Sequence, residues 1–490
     1  MIVSKTLHNY LCIHGHFYQP PREDPFTERI PHEYGAAPFD NFNEKITAEC
    51  YGPNAEQGTF EYMSFDIGPT LAVWLERAHP DVYAKIIAAD RRAYERYGVG
   101  NAIAHAYNHT ILPLATARDK RTQILWGLLD FYYRFGRQAE GMWLAETAVD
   151  LETLDRLAEQ GIQFTVLAPW QAAEPVDCTE PYLVRLPSGR SITVFFYNGP
   201  LSGAVSFDGG ATNNADSFTA SWLPPQLNAA KATRGEDQLL LVATDGELYG
   251  HHKPFRDRFL NYLVRTAAPE RNFEVVSLGR YLQSHPATRE VCILGPSAWS
   301  CAHGVNRWSA GCSCTEGETA WKPALRSALN RLSERLNAAF EHATSATLRD
   351  PWAARDEYIL LRNGWMTPEV FASRNAVARL WLFRSRTLDE KTRSLLEAQY
   401  FGQCMFTSCG WFFEDLDRIE PRNNIAFARR AISLTWQATG IDLQQEFIAD
   451  LAATRSWRTA RSGAELYLQL PRLTPEQLPP LAPSEDESVA

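Results

Sequence analysis

The sequence predicts an α/β fold, with a parallel sheet built from β/α units and a helical region after it. The apolar run at 239–243 has the length and composition of a strand buried on both faces, which is typical of a parallel sheet. Strand-like and helix-like segments alternate from residue 10 to residue 277. From residue 321 to about residue 451, apolar side chains recur at helical spacing. We therefore expect two structural parts.

The predicted elements follow one another in the order that β/α units require. Strands are expected at 10–16, 101–106, 141–146, 162–168, 239–243 and 273–277, and helices at 67–79, 80–97, 119–135, 151–160 and 254–266. A hairpin is expected at 182–197, with its turn at Ser188 and Gly189. The segments 22–61 and 201–237 are predicted to be long loops, the second lying over the functional site.

These elements divide the chain into three parts. We expect an α/β catalytic domain at 1–295, an α-helical domain that contributes to the cleft at 296–455, and a Pro- and acid-rich tail at 456–490. The composition of the tail predicts disorder.

Composition and charge limit the classes of function. The chain has 490 residues, 45% of them hydrophobic, which is enough for a large core and a second domain. The formal net charge of -10, without a long basic run, argues against nucleic acid or an anionic membrane as a partner. No stretch approaches the ~20 apolar residues of a membrane span, and the first residues lack the apolar core of a signal peptide. We therefore expect a cytoplasmic protein with a neutral substrate.

The nine cysteines are an odd number spread thinly along the chain, a pattern typical of reduced thiols. Cys301, Cys312 and Cys314 cluster in one loop-like segment. A C-x-C pair without a second spaced pair is a weak zinc signal, and we expect neither a metal nor a cofactor.

Two carboxylates follow predicted strands. Asp245 ends the buried strand, with Glu247 two residues on, and Glu146 ends a second apolar run. Active sites of α/β folds lie at the carboxyl ends of the strands, so Glu146 and Asp245 could face each other across a crevice. Glycoside hydrolysis needs such a pair, one carboxylate acting as nucleophile or base and the other as proton donor.

Histidines end the first strand. His14 and His16 point to the same side of it if the strand reaches that far. They could bind a metal or donate hydrogen bonds to a ligand.

Five motifs, in order, resemble those of glycoside hydrolase family 57, most closely its α-glucan branching enzymes and amylase-like members. They span roughly residues 9–435 and are His14-x-His16-x-x-Gln19-Pro20, Gly141-Met142-Trp143-Leu144-Ala145-Glu146, Asp245-Gly246-Glu247-Leu248-Tyr249-Gly250-His251, Ser297-x-Trp299-Ser300 with Gly304 and Trp308, and Cys409-Gly410-Trp411-Phe412. Each motif alone is modest, but their common order makes the resemblance specific.

The resemblance implies an incomplete (β/α)7 barrel followed by a helical domain, and a retaining mechanism on α-1,4-glucan. Glu146 would be the nucleophile and Asp245 the acid and base, with their carboxyl groups ~5 to 5.5 Å apart. It implies substrate binding by histidines through hydrogen bonds and by tryptophans through stacking on glucose units; these are His14, His16, Trp143, His251, Trp299, Trp308 and Trp411. Hydrolysis, as in amylases, and transfer, as in branching enzymes, both remain open.

The chain departs from the family pattern at two positions. Ala145 stands where proline is usual, and Asn101 stands where the second motif has glutamate, which puts substrate positioning in doubt.

The sequence leaves two other classes of function open. His105 and His109 have H-x-x-x-H spacing and, with a carboxylate, could bind a divalent metal, as in barrel-type polysaccharide deacetylases. No Asp-Asp pair opens the chain, which disfavours that class. A glycan-binding protein that kept the fold without turnover is the third alternative.

Overall fold

The computed structural model describes residues 8–377 and 387–470. The chain forms two compact units. The N-terminal unit comprises Met1–Pro20 and Glu33–Val305, and the C-terminal unit comprises Pro21–His32 and Asn306–Ala490.

A curled parallel sheet forms the centre of the N-terminal unit. The strands are β1 (Asn9–Phe17), β2 (Ser64–Ile67), β3 (Ala102–His105), β4 (Met142–Trp143), β5 (Phe164–Leu167), β6 (Tyr182–Arg185), β7 (Ser191–Phe196), β8 (Gln238–Asp245), β9 (Phe273–Val275) and β10 (Arg289–Glu290). Strands β8, β1, β2, β3 and β4 pair in that order, and β5 pairs with β7, all in parallel. A bridge between Gly141 and Phe164 joins the two groups, which makes seven parallel strands in one row.

The ends of this row approach each other. The Asn198 backbone N–H, just after β7, donates to the Leu241 carbonyl of β8 at 2.7 Å. Strand β9 pairs with the start of β1, and β6 forms the predicted hairpin with β7. The prediction of an α/β fold of the incomplete (β/α)7 type, followed by a helical region, is confirmed.

The strands are apolar because both faces of the sheet are covered. Every residue of β8 except Asp245 is buried, and Cys12, Phe164 and Leu241 belong to one core cluster. The helices of this unit are Phe42–Ile46, Gly52–Glu56, Pro69–Ala78, Pro80–Tyr97, Ala117–Phe135, Leu151–Glu159, Gly199–Phe207, Ala215–Ser217, Ala229–Arg234, Arg256–Tyr262 and Leu278–Ser284. Since strands and helices alternate, the carboxyl ends of the parallel strands meet at one edge.

The segment 201–237 is not the long loop that its composition predicted. It contains several helices, because asparagines that resemble loop residues in the sequence act here as N-caps. Asn198 accepts a hydrogen bond from the Leu201 N–H, and Asn214 accepts one from the Ser217 N–H. The long loop predicted at 22–61 is likewise interrupted by a helix, since Asn41 caps Phe42–Ile46.

The C-terminal unit is helical, as predicted. Its helices are Trp321–Thr344, Pro351–Arg362, Pro368–Asn375, Glu390–Cys404, Cys409–Phe412, Ile419–Thr439, Gln444–Leu451 and Gly463–Gln469. The last helix lies in the part of the chain that was assigned to a disordered tail. It forms because Ser462 and Glu465 make a reciprocal capping box. The rest of the predicted tail, 471–490, lies outside the described residues. None of the helices that the structure describes is both long and apolar enough to cross a bilayer.

Candidate active site

Three ionisable side chains stand in register across neighbouring strands at the carboxyl edge of the sheet. His16 of β1 is paired with Asp66 of β2 on one side and with Asp245 of β8 on the other. His105 of β3 is paired with Trp143 of β4. Because paired residues of parallel strands share a level, the register brings these groups to one side of the sheet.

Asp66 connects the two histidines of the first strand. His14 Nε2 donates to Asp66 Oδ1 at 3.1 Å, and His16 Nδ1 donates to Asp66 Oδ2 at 2.8 Å. Burial raises the pKa of Asp66, but the charge of His16 and the two hydrogen bonds outweigh this effect and lower the pKa to about 2. Burial lowers the pKa of His16, but the charges of Asp66, Asp245 and Glu247 outweigh it and raise the pKa to about 9.

These contacts occupy the ring nitrogens with which His14 and His16 are predicted to hydrogen-bond a sugar. His14 Nδ1 lies 3.0 Å from Ser64 Oγ, and His16 Nε2 lies 3.2 Å from His109 Nε2. With Asp66 on the other nitrogen of each ring, all four ring nitrogens already have protein partners.

Glu146 sits on a strained turn directly after β4. Its backbone φ is 57° and that of Thr147 is 47°, the left-handed region that side chains other than glycine rarely adopt. Gln171 holds the turn, since it accepts from Thr147 Oγ1 at 2.8 Å and donates to the Thr147 carbonyl at 2.9 Å. Such strain persists where the surroundings over-determine the backbone, and here it aims the Glu146 carboxylate.

Two donors hold one oxygen of the Glu146 carboxylate. The Trp299 indole N–H donates to Oε2 at 2.9 Å, and Ser300 Oγ donates to it at 2.7 Å. Burial raises the pKa of Glu146; the two hydrogen bonds oppose that rise, while the negative charge of Asp245 adds to it. The two carboxylates are therefore close enough to interact electrostatically.

Asp245 has the opposite surroundings. Its side chain is open to solvent, and it accepts no hydrogen bond from any residue that the structure describes. It is nevertheless crowded by protein, and this desolvation raises the pKa of Asp245 against the opposing charge of His16. No hydrogen bond from the described residues stabilises the anion, so Asp245 is suited to hold a proton.

Glu247, two residues further on, is buried rather than solvated. It accepts a hydrogen bond from Tyr51 Oη at 2.6 Å and one from the Tyr18 backbone N–H at 3.1 Å. Burial raises the pKa of Glu247 to about 7. Its two protein donors make it a supporting group rather than one that faces a substrate.

The other predicted substrate-binding residues of this unit divide into two kinds. Trp143 is fully buried and stacks on His14 with ring centroids 4.8 Å apart, so it supports the site from behind. Trp299 is half-buried beside Glu146, and its accessible part is available to a ligand. His251 Nδ1 bonds to Glu49 Oε2 at 2.5 Å, which orients the imidazole ring.

Trp308 and Trp411 belong to the C-terminal unit, and each has 0% of its surface exposed. The Arg326 guanidinium lies 3.7 Å from the Trp411 ring centroid, and its N–H groups donate to the Trp308 carbonyl. Because both rings are buried, neither offers an accessible face for the predicted stacking on glucose. Their positions in the motifs reflect packing.

Sequence reasoning missed Trp170 as a site residue. It follows β5 at the same carboxyl edge, 51% of its surface is exposed, and its ring meets Tyr197 edge-on at 5.8 Å. Tyr197 in turn meets Trp299 at 6.3 Å. The signal available in the sequence was a tryptophan just after the predicted strand 162–168.

Asn101, which stands where the second family motif has glutamate, lies outside the site. Asn101 precedes β3 at the amino end of the strand, opposite to the edge that carries His105. Its side chain is buried and donates to the Phe60 carbonyl at 3.1 Å. The substitution is therefore a matter of packing and not of substrate positioning.

Comparisons with solved structures support the fold. The exo-type maltose-forming amylase of Pyrococcus sp. ST04 superposes with a TM-score of 0.70 at 15% identity, over 90% of this chain and 82% of that one. The GH57 branching enzyme of Thermococcus kodakaraensis superposes with a TM-score of 0.62 at 15% identity, over 93% of this chain and 96% of that one.

Sequence comparisons identify the family. Alpha-amylase 1 of Dictyoglomus thermophilum is 28% identical over 170 residues, which is 34% of this chain and only 21% of that amylase. Residues 318–479 match a domain of unknown function, DUF3536. The family model of glycosyl hydrolase family 57 matches residues 13–293, more than half of the chain, and includes both candidate carboxylates. The chain therefore belongs to glycosyl hydrolase family 57.

Proposed function

We propose that the chain is a retaining enzyme that acts on α-1,4-glucan through a covalent glycosyl-enzyme, with Glu146 as nucleophile and Asp245 as acid and base. The observation that carries this proposal is the asymmetry of the two carboxylates. Glu146 accepts two hydrogen bonds that favour its anion, whereas Asp245 accepts none from the described part of the chain. Two carboxyl groups whose surroundings differ in this way take the two roles of glycoside cleavage.

The first step uses both groups at once. Asp245 gives its proton to the glycosidic oxygen as the bond from that oxygen to the anomeric carbon breaks. Glu146 forms the new bond to that carbon through Oε1, since Oε2 already accepts from Trp299 and Ser300. These two donors keep the carboxylate fixed as its charge is lost.

The second step decides between hydrolysis and transfer. Asp245, now an anion, takes a proton from the incoming hydroxyl, whose oxygen displaces Glu146 from the anomeric carbon. The configuration is inverted twice and hence retained. Water as the acceptor gives hydrolysis, and a sugar hydroxyl gives transfer. Both outcomes share every residue named here.

The proposed substrate contacts lie on either side of Glu146. Trp299 is half-buried beside the nucleophile, and Trp170 offers an exposed indole face further along the same edge. Sugar rings stack on such faces. His251, oriented by Glu49, is proposed to hydrogen-bond a sugar hydroxyl. The α-glucan is inferred from the similar proteins, which are an alpha-amylase, a maltose-forming amylase and a branching enzyme.

We keep the cytoplasmic location as part of the proposal. It is supported by the thin spread of nine cysteines and by the negative net charge of -10, which also disfavours nucleic acid as a partner. Cell fractionation tests it.

The test incubates the full chain with amylose and measures new reducing ends together with new α-1,6 branches. Reducing ends alone indicate an amylase, and branches with few reducing ends indicate a branching enzyme. Glu146→Gln is the control, because glutamine keeps the shape and the hydrogen-bond acceptor but not the charge. If the wild-type chain gives no product above this control, the proposed substrate is wrong.

A further inference from the structure

Three histidines that the proposed mechanism leaves unused converge beside the catalytic carboxylates. His16 lies on β1, His105 ends β3, and His109 lies in the loop after β3. One ring nitrogen of each lies within 4.8 Å of the others. The three rings are nearly parallel, with interplanar angles of 14° to 16° and centroids 5.1 to 5.4 Å apart. All three side chains are buried.

The spacing of the nitrogens suits a metal ion. His16 Nε2 and His109 Nε2 are 3.2 Å apart. Two nitrogens on one tetrahedral zinc ion lie ~3.4 Å apart, because each Zn–N bond is ~2.0 to 2.1 Å long.

His105 supplies a second, independent observation. Neither of its ring nitrogens makes a hydrogen bond of good geometry with the residues described, although the side chain is only 2% exposed; the Ala106 backbone interacts with the ring only as a minor contact. Burying both nitrogens of an imidazole without a partner is unfavourable, and a bound cation would satisfy one of them.

Asp66 prepares His16 for this role. Its carboxylate accepts from His16 Nδ1 at 2.8 Å, which keeps a proton on that nitrogen. The charged His16 ring must release its Nε2 proton to bind a metal, and the Nε2 lone pair then faces His109. Metal-binding histidines are typically oriented by a carboxylate on the other ring nitrogen. His14 holds the second oxygen of Asp66 and thereby keeps the carboxylate in place.

We propose that His16, His105 and His109 bind one Zn²⁺ ion, which links β1 to β3 and to the loop after it. Three imidazoles form a ligand set that zinc accepts, with a fourth position left for water. The ion would stabilise the carboxyl edge of the sheet. This inference revises the sequence-based expectation of no metal, and it does not depend on the substrate of the enzyme.

The test measures zinc binding to the full chain after treatment with a chelator, by calorimetry and elemental analysis. His109→Asn is the main variant, because the backbone φ at His109 is 52° and asparagine tolerates that region well. We expect its affinity for zinc at this site to fall by at least about 100-fold, since loss of an outer partner alone costs 10- to 100-fold. Zinc should raise the melting temperature of the wild-type chain but not that of the variant.

His342→Gln is the matched control, since His342 is an exposed histidine of the C-terminal unit and should leave zinc binding unchanged. His105→Gln is a second variant at the site and should bind zinc as poorly as His109→Asn. Equal affinity and stoichiometry in the wild-type chain and both site variants would overturn the proposal.

X-ray absorption of the zinc-loaded wild-type chain gives a measurement that does not depend on how the variants fold. Nitrogen neighbours at ~2.0 to 2.1 Å support the three-histidine site. Neighbours that are only sulfur, at ~2.3 Å, contradict it, as does a wild-type chain that binds no zinc.

Discussion

Replacing Asp245 by asparagine separates the acid role from the rest of the site. The change removes the proton that we assign to the leaving oxygen but keeps the size of the side chain. Asp245 is exposed and accepts no hydrogen bond from the described residues, so asparagine leaves no buried group unsatisfied. We therefore expect the free energy of unfolding to change by no more than ~0.5 kcal/mol.

The expected loss is chemical and depends on the leaving group. Without its general acid, cleavage of a maltooligosaccharide should slow by roughly 10²- to 10⁴-fold, which corresponds to about 3 to 5 kcal/mol in the barrier. A 4-nitrophenyl glycoside releases a stable phenolate that needs no proton. In Asp245→Asn the first step with the 4-nitrophenyl glycoside should therefore slow far less than that with the maltooligosaccharide. The ratio of these two rate losses is the diagnostic quantity.

The assay measures kcat/KM for both substrates with the wild-type chain, Asp245→Asn and Glu247→Gln. Glu247 lies two residues away and has its own donors in Tyr51 and the Tyr18 backbone, so its replacement should affect both substrates equally. The account is refuted if Asp245→Asn keeps most of its activity on the maltooligosaccharide. It is also refuted if Glu247→Gln is the variant that shows the leaving-group dependence, because Glu247 would then be the acid.

Three further predictions concern pH, binding and stability. Burial raises the pKa of Glu146 above its ordinary 4.5, and desolvation by the surrounding protein raises that of the solvent-accessible Asp245 above 3.8, so both limbs of the pH profile of kcat/KM should lie above these values. Activity should fall with decreasing pH as Glu146 is protonated and with increasing pH as Asp245 ionises, and limbs at the ordinary values would contradict this. Trp170→Ala should raise KM for long glucans by about 2- to 10-fold and leave the melting temperature unchanged, because it removes ~0.5 to 1.5 kcal/mol of stacking. The control is Trp436→Ala, which replaces another exposed tryptophan; an equal effect of both changes on KM would argue against a binding role for Trp170. Gln171→Leu should lower the free energy of unfolding, measured by urea titration, by about 2 to 4 kcal/mol, because the buried hydroxyl and carbonyl groups of Thr147 lose their hydrogen bonds to Gln171. A change below about 1 kcal/mol would show that these hydrogen bonds do not hold the turn.

The sequence was sufficient for most of the alternation of strands and helices and for the positions of the two carboxylates, but it missed β2 at Ser64–Ile67, which pairs with β1 and carries Asp66. Asp245 could be located because a buried apolar strand ends at it, and Glu146 because a short apolar run does the same.

Long-range partners could not be predicted in this way. Asp66 lies 50 residues from His16 in the chain, and no local pattern shows that its carboxylate joins two histidines of another strand. The burial of Trp308 and Trp411 likewise depends on Arg326, whose packing has no signature in either motif. The asparagine caps at 198 and 214 misled the prediction because asparagine favours both loops and N-caps.

The most direct test of the central claim is the site of covalent labelling. The chain is incubated with a 5-fluoro-α-maltosyl fluoride, which forms the glycosyl-enzyme but releases it slowly, and its peptides are analysed by mass spectrometry. Our account predicts one added maltosyl group on the peptide that contains Glu146, and none in Glu146→Gln. A label on another carboxylate, or turnover of the fluoride by the wild-type chain to a product of inverted configuration, would contradict it.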